Sequence, residues 1–103
     1  MEKNTPHYDL AVIKSEVRRL GQNAFTKTSV RSAEKLGFNV SEMQEIVFEL
    51  QTRMLYKSMT TYEDHRIWQD VYHINSRDQE IYIKVTYRPG GGPPVISFNE
   101  NNP

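Results

Sequence analysis

The 103-residue chain contains no cysteine. That excludes a disulfide framework, a thiolate zinc site and a cysteine nucleophile. It also suits a reducing compartment. Long apolar runs are missing too. None approaches the ~18 residues that span a bilayer. The opening MEKNTPHYDL has no apolar stretch of the secretory kind. The expectation is a soluble, cytoplasmic protein with no membrane partner. An excess of either charge is absent as well: 13 basic side chains balance 13 acidic ones. This counts against indiscriminate nucleic-acid binding, which needs a basic surplus. No phosphate-binding glycine loop is present. PGGGPP, at 89–94, leads into no helix and lacks the Lys-Ser/Thr ending.

What remains is a polar chain with a thin supply of core residues, 37% hydrophobic. Its length predicts one domain over 1–103, with a frayed tail at about 100–103. The first half reads helical. In DLAVIKSEVRRLG, Leu10, Ile13, Val17 and Leu20 form one stripe, with Asp9 as cap and Gly21 as stop. SVRSAEKLG is a shorter helix, with Ser29 as cap and Gly37 as stop. SEMQEIVFEL follows, with Ser41 and Gln44 as a capping box and Val40 as its hydrophobic staple. Met43, Ile46, Val47 and Leu50 are its apolar face. Phe25 to Thr28 is expected to be extended. Lys14, Arg18, Arg19, Lys27, Arg31 and Lys35 meet only Glu16 and Glu34 in their stretch, so they suggest a basic patch or a solvated helix surface.

The second half reads as strands. Leu55 to Thr60, IWQDVYHI, QEIYIKVTYR and VISFN are the candidates, with NSRD as a turn. Helices followed by an antiparallel meander give an α+β fold, with helices on one side of a twisted sheet. In QEIYIKVTYR, Ile81, Ile83, Val85 and Tyr87 point one way, and the purely apolar Ile81, Ile83 and Val85 must face the helices. Tyr82, Lys84, Thr86 and Arg88 then face the opposite way. A row of Tyr, Lys and Arg suits an anionic ligand with aromatic bases. A solvated, β-favouring surface gives the same pattern.

If the neighbouring strands lie beside it, Lys57, Gln69 and Tyr82 can share that face. Such a set fits cleavage of RNA by its own 2′-OH. That reaction requires proton removal, phosphorane stabilisation and leaving-group protonation. Lys57 would serve the phosphate charge or act as base, Tyr82 would move a proton or stack a base, and Gln69 would hold a phosphate oxygen or a base edge. All three are also ordinary surface residues. His65 and His73 match no zinc-ligand spacing. His65 reads as a general acid or base, or as a solvated loop residue. His7 reads as a terminal residue or a contact to the body of the fold. Trp68 reads as a sheet anchor or a ligand platform. Met54 suits the core. Met59 suits an exposed site where its thioether meets a base.

MEKNTPHYDL, YKSMTTYEDHRIWQDVYH, IYIKVT and VISFNE together resemble the motility quorum-sensing regulator toxins over nearly the whole chain. The resemblance implies a RelE-like ribonuclease fold and a toxin of a type II toxin–antitoxin system. It implies a metal-independent endoribonuclease, an mRNA interferase that cuts single-stranded mRNA at GC-containing sites without a cofactor. The implied partner is an MqsA-like antitoxin with a zinc-binding domain and a helix-turn-helix, through which alone the toxin reaches operator DNA. Lys57 of YKSM, Gln69 of IWQDVY and Tyr82 of IYIKV take the catalytic positions. Met59, His65, Lys84 and Arg88 are the expected RNA contacts. The family commonly ends in SFKE, whereas this chain has Asn99 in SFNE. That phosphate contact is then missing, or supplied by Arg88 or another side chain. The alternative is a catalytically weak homologue that binds antitoxin as an operon co-regulator.

Overall fold

The computed structural model describes residues 1–88 and 90–100. Pro89 of the glycine–proline connection, and the expected frayed tail beyond Glu100, lie outside the described residues. Three helices pack on one side of a five-stranded antiparallel sheet, which is the expected α+β arrangement. The helices are α1 (Leu10–Leu20), α2 (Lys27–Lys35) and α3 (Val40–Glu49). The strands β1 (Glu2–Lys3), β2 (Leu55–Thr60), β3 (Trp68–Ser76), β4 (Gln79–Val85) and β5 (Val95–Asn99) follow one another across the sheet in chain order.

The core is a single apolar layer between helices and sheet. Leu10, Ile13 and Val17 of α1 and Met43, Ile46 and Val47 of α3 meet Ile81, Ile83, Val85 and Phe98. The helical stripes therefore do what their spacing predicts. Two caps differ from expectation. Thr26, not Ser29, caps α2: its hydroxyl accepts from Ser29 N at 3.1 Å, and Ser29 Oγ donates back to Thr26 O at 2.8 Å. The reason is tertiary. Phe25 bridges Val95, and Thr26 N donates to Val95 O, so the chain stays extended only to Thr26. Asn39, not Ser41, begins α3. Asn39 Oδ1 accepts from Glu42 N, and Glu42 Oε1 accepts from Asn39 N, a complete capping box two residues earlier than predicted. Val40 is then the first helical residue rather than the staple.

Gly37 does end its helix, at φ 92°. Phe38 N donates to Ala33 O and Gly37 N to Glu34 O, the paired bonds of a Schellman stop. The NSRD turn is a two-residue hairpin, with Arg77 and Asp78 at φ 52° and 61°. The strand expected to reach Arg88 leaves the ladder after Val85. Thr86 N donates to Pro94 O, and Pro94 has no N–H to return. Val85 and Thr86 are both buried, so the alternation breaks there. Tyr87 packs partly on the core, while Thr86 and Arg88 do not extend the open row.

The basic stretch does not assemble as one patch. Lys14 Nζ donates to Phe48 O and Leu50 O, at the carbonyl end of α3. The Arg18 guanidinium lies 4.7 Å from the Phe48 ring centroid, and Arg19 pairs with Glu16. Lys27 and Arg31 line an apolar groove beside Phe25 and Val30.

Candidate active site

The N-terminal segment is fastened to the sheet by one carboxylate. Asp70 is fully buried on the helix side of β3. It accepts from His7 N, from Tyr8 N at 2.9 Å and from Ser58 Oγ at 2.6 Å. Trp68, on the same side, stacks on His7 with ring centroids 4.8 Å apart and 10° between planes. Lys3 Nζ lies 4.3 Å from the Trp68 centroid. Tyr8 and Thr86 hydroxyls both donate to Trp68 O. Trp68 is thus an anchor, and His7 is a contact to the body of the fold.

Side chains alternate, so placing Trp68 and the buried Asp70, Tyr72 and Ile74 on one side turns Gln69, Val71 and His73 to the other. Pairing then builds rows across that open face. Lys57, Val71, Lys84 and Ser97 form one row over β2 to β5. Met59 and Gln69 form the row on one side, and His73, Tyr82 and Asn99 the row on the other. Val71 is fully buried, yet lies outside the main core cluster. Its cross-strand partners are the two lysines, Lys57 on β2 and Lys84 on β4.

This geometry brings Lys57, Gln69 and Tyr82 onto one face, but not side by side. Gln69 and His73, the neighbour of Tyr82, are separated by ~13 Å along β3. The lysine row lies between them. Gln69, Met59, Lys84 and His65 line one open cleft of about 470 Å³. The β2–β3 loop forms its rim, closed by Thr61 N to Ile67 O at 2.8 Å and Thr61 Oγ to Asp64 O at 2.7 Å. Arg88 does not join them. It lines a different cleft with Glu16, Arg19 and the glycine connection. Asn99 faces Tyr82 and donates to Ser97 Oγ at 2.7 Å.

Electrostatics separate the two lysines. Burial, and then the charge of Lys57, hold the Lys84 ammonium below its ordinary pKa of 10.5. Lys57 Nζ is 3.0 Å from Glu2 Oε1, on the short strand β1. Glu2 is largely exposed, so this pair is a surface ion pair worth little on its own. Among the described residues, no three His, Asp, Glu or Cys side chains gather as metal ligands do.

The sequence reading missed two neighbours of these residues, Glu2 and Tyr56. Glu2 was hidden because two residues carry no strand pattern. Tyr56 lies at the bulge between Leu55 and Lys57. Its ring meets Tyr82 edge-on at 5.7 Å, while His73 stacks on Tyr82 at 4.6 Å. Only the pairing register exposes that contact.

A family model described as "Motility quorum-sensing regulator, toxin of MqsA" matches residues 5–100. A curated relative is the mRNA interferase toxin MqsR of Escherichia coli (strain K12). It is 41% identical over 86 residues, covering 84% of this chain and 87% of that protein. On both grounds, the chain belongs to the motility quorum-sensing regulator family of toxins.

Proposed function

We propose that this protein is an endoribonuclease toxin that cleaves single-stranded mRNA through attack of the 2′-OH on the adjacent phosphate. The single observation carrying this reading is the Lys57–Val71–Lys84 row, flanked by Gln69 and Tyr82 on an open sheet face. Two lysines paired on either side of a buried valine are suited to a phosphate. Their charge stabilises the dianionic phosphorane more than the monoanionic diester, which is how a fixed cation lowers this barrier.

The reaction needs no metal. The 2′ oxygen bonds to phosphorus as its proton leaves, and the 5′ oxygen departs with a proton. The products are a 2′,3′-cyclic phosphate and a free 5′-OH. Lys57 contacts the scissile phosphate. Lys57 is the candidate to accept the 2′ proton, and Lys84, whose pKa burial and the charge of Lys57 hold below 10.5, stands beside it in the same row. Tyr82 donates or relays a proton, and Gln69 fixes a phosphate oxygen or a base edge. Met59 and His65 border the strand's path. Preference for GC-containing sites, and neutralisation by a zinc-binding, helix-turn-helix antitoxin that carries the complex to operator DNA, are part of the same reading. Family membership supports both.

Arg88 is set aside as a phosphate contact at this site because it lines the other cleft. The neutral Asn99 favours a second reading, in which the protein cleaves weakly and acts by binding antitoxin. Expression without the antitoxin separates the two. Growth arrest with loss of full-length mRNA supports the nuclease. Full toxicity of both Lys57→Ala and Tyr82→Ala would sink the site assignment.

A further inference from the structure

The bulge in β2 has a consequence for what the open face can bind. Leu55 pairs with Tyr72 on the helix side, and Lys57 pairs with Val71 on the open side. Tyr56 is the extra residue between them. A bulge re-aims side chains, and such features concentrate beside active sites. Here it sends two consecutive side chains toward the same region. The Tyr56 ring meets Tyr82 edge-on, with 78° between planes. Tyr82 is itself backed by His73, at 25°. Lys57 Nζ lies 5.6 Å from the Tyr56 centroid. With its edge-on contact to Tyr82, Tyr56 remains 45% exposed.

We propose that Tyr56 is a stacking platform for the unpaired nucleobase next to the phosphate held by Lys57, with Tyr82, itself backed by His73, holding the ring. The inference rests on the ribonuclease reading and adds a base-binding subsite to it. A tyrosine face accepts any base, so the subsite supplies affinity and alignment, not sequence choice. Its position beside the lysine row suits one ligand class, an unstacked single strand. In a duplex the same base is covered by its neighbours.

The test uses the full-length protein and a single-stranded RNA oligonucleotide carrying a cleavage site mapped with the wild type. Tyr56→Leu, which keeps bulk without a π face, and Tyr56→Ala raise KM about ten-fold or more, with a smaller change in kcat. Tyr56→Phe and Tyr56→Trp keep KM near wild type. An abasic nucleotide on one side of the scissile phosphate reproduces the loss in the wild type and costs Tyr56→Leu nothing further. KM for Tyr56→Leu within two-fold of wild type overturns the proposal. So does an abasic penalty that multiplies with the mutation. If the wild type cleaves nothing, the catalytic reading fails separately. The same variants and RNAs are then compared by fluorescence anisotropy. Equal affinities, or no binding by any of them, overturn the platform as well.

Discussion

Asp70 shows how one side chain can organise a site without taking part in it. A buried carboxylate is tolerable only when hydrogen-bonded, and Asp70 receives bonds from two backbone amides and a serine. Hydrogen bonds to a charged group are worth ~1.5–3 kcal/mol each. Asp70→Ala is therefore expected to destabilise the protein by about 3 kcal/mol or more in urea unfolding, and to free the segment carrying Glu2. Tyr72 is the opposite case. Among the described residues its buried hydroxyl has no hydrogen-bond partner, and burial, followed by Asp70 and Asp9, pushes its pKa up to about 12. Tyr72→Phe removes only an unsatisfied group and is expected to be neutral or stabilising by about 1 kcal/mol. A loss of 2 kcal/mol or more in the same titration would contradict that account of the hydroxyl. Lys84 gives a pH prediction. Its folded pKa lies below 10.5, so the native state releases this proton at lower pH than the unfolded chain. In the window between the two values the unfolded state binds more protons, and stability rises with pH. Phosphate favours the protonated form, so RNA affinity falls as pH climbs through that same window. Lys84→Arg should remove this alkaline fall in an anisotropy titration. A fall unchanged by the substitution would assign it elsewhere.

The elements were legible where one rule decided them. Ile81, Ile83 and Val85 have no alternative to the core, and α1 has a clean stripe between Asp9 and Gly21. The errors fell where a partner distant in sequence decides. Ser29 and Ser41 looked like caps because they precede apolar runs. Thr26 and Asn39 won because Phe25 is pinned to Val95 and because Glu42 completes the box. Strand β1 has too few residues to show a period at all. The hairpin turn carries a testable cost. Arg77 and Asp78 both hold left-handed conformations, which disfavour side chains by ~1–2 kcal/mol per residue. Arg77 recovers part of this through bonds to Gly37 O and Glu42. Asp78 has neither of those partners, so Asp78→Gly is expected to stabilise the protein by about 0.5–1 kcal/mol. A measured loss would mean that the Asp78 side chain contributes more than its backbone strain costs.

For the whole molecule, net neutrality and a local cation pair must be reconciled. The charge balance is even over the chain, yet the open face concentrates Lys57 and Lys84, while Lys14, Arg18 and Arg19 serve the helices. Sequence alone placed Lys57, Gln69, Tyr82 and Lys84 on this face, but not their order, and it missed Tyr56. Tyr82 and Gln69 looked like neighbours of Lys57 and proved to flank a two-lysine row. Arg88 looked like part of that face until Pro94 diverted the chain. If two lysines carry the phosphate contacts, log affinity for single-stranded RNA should fall against log salt with a slope of about −1.4. A much steeper slope would point to a broader basic surface. The most direct measurement is cleavage of a single-stranded RNA by purified protein in EDTA, wild type beside Lys57→Ala. The account predicts wild-type cleavage leaving a 2′,3′-cyclic phosphate, and a loss of about 100-fold or more in the variant. A wild type inert in EDTA, or a Lys57→Ala protein that cuts at the wild-type rate, would contradict it.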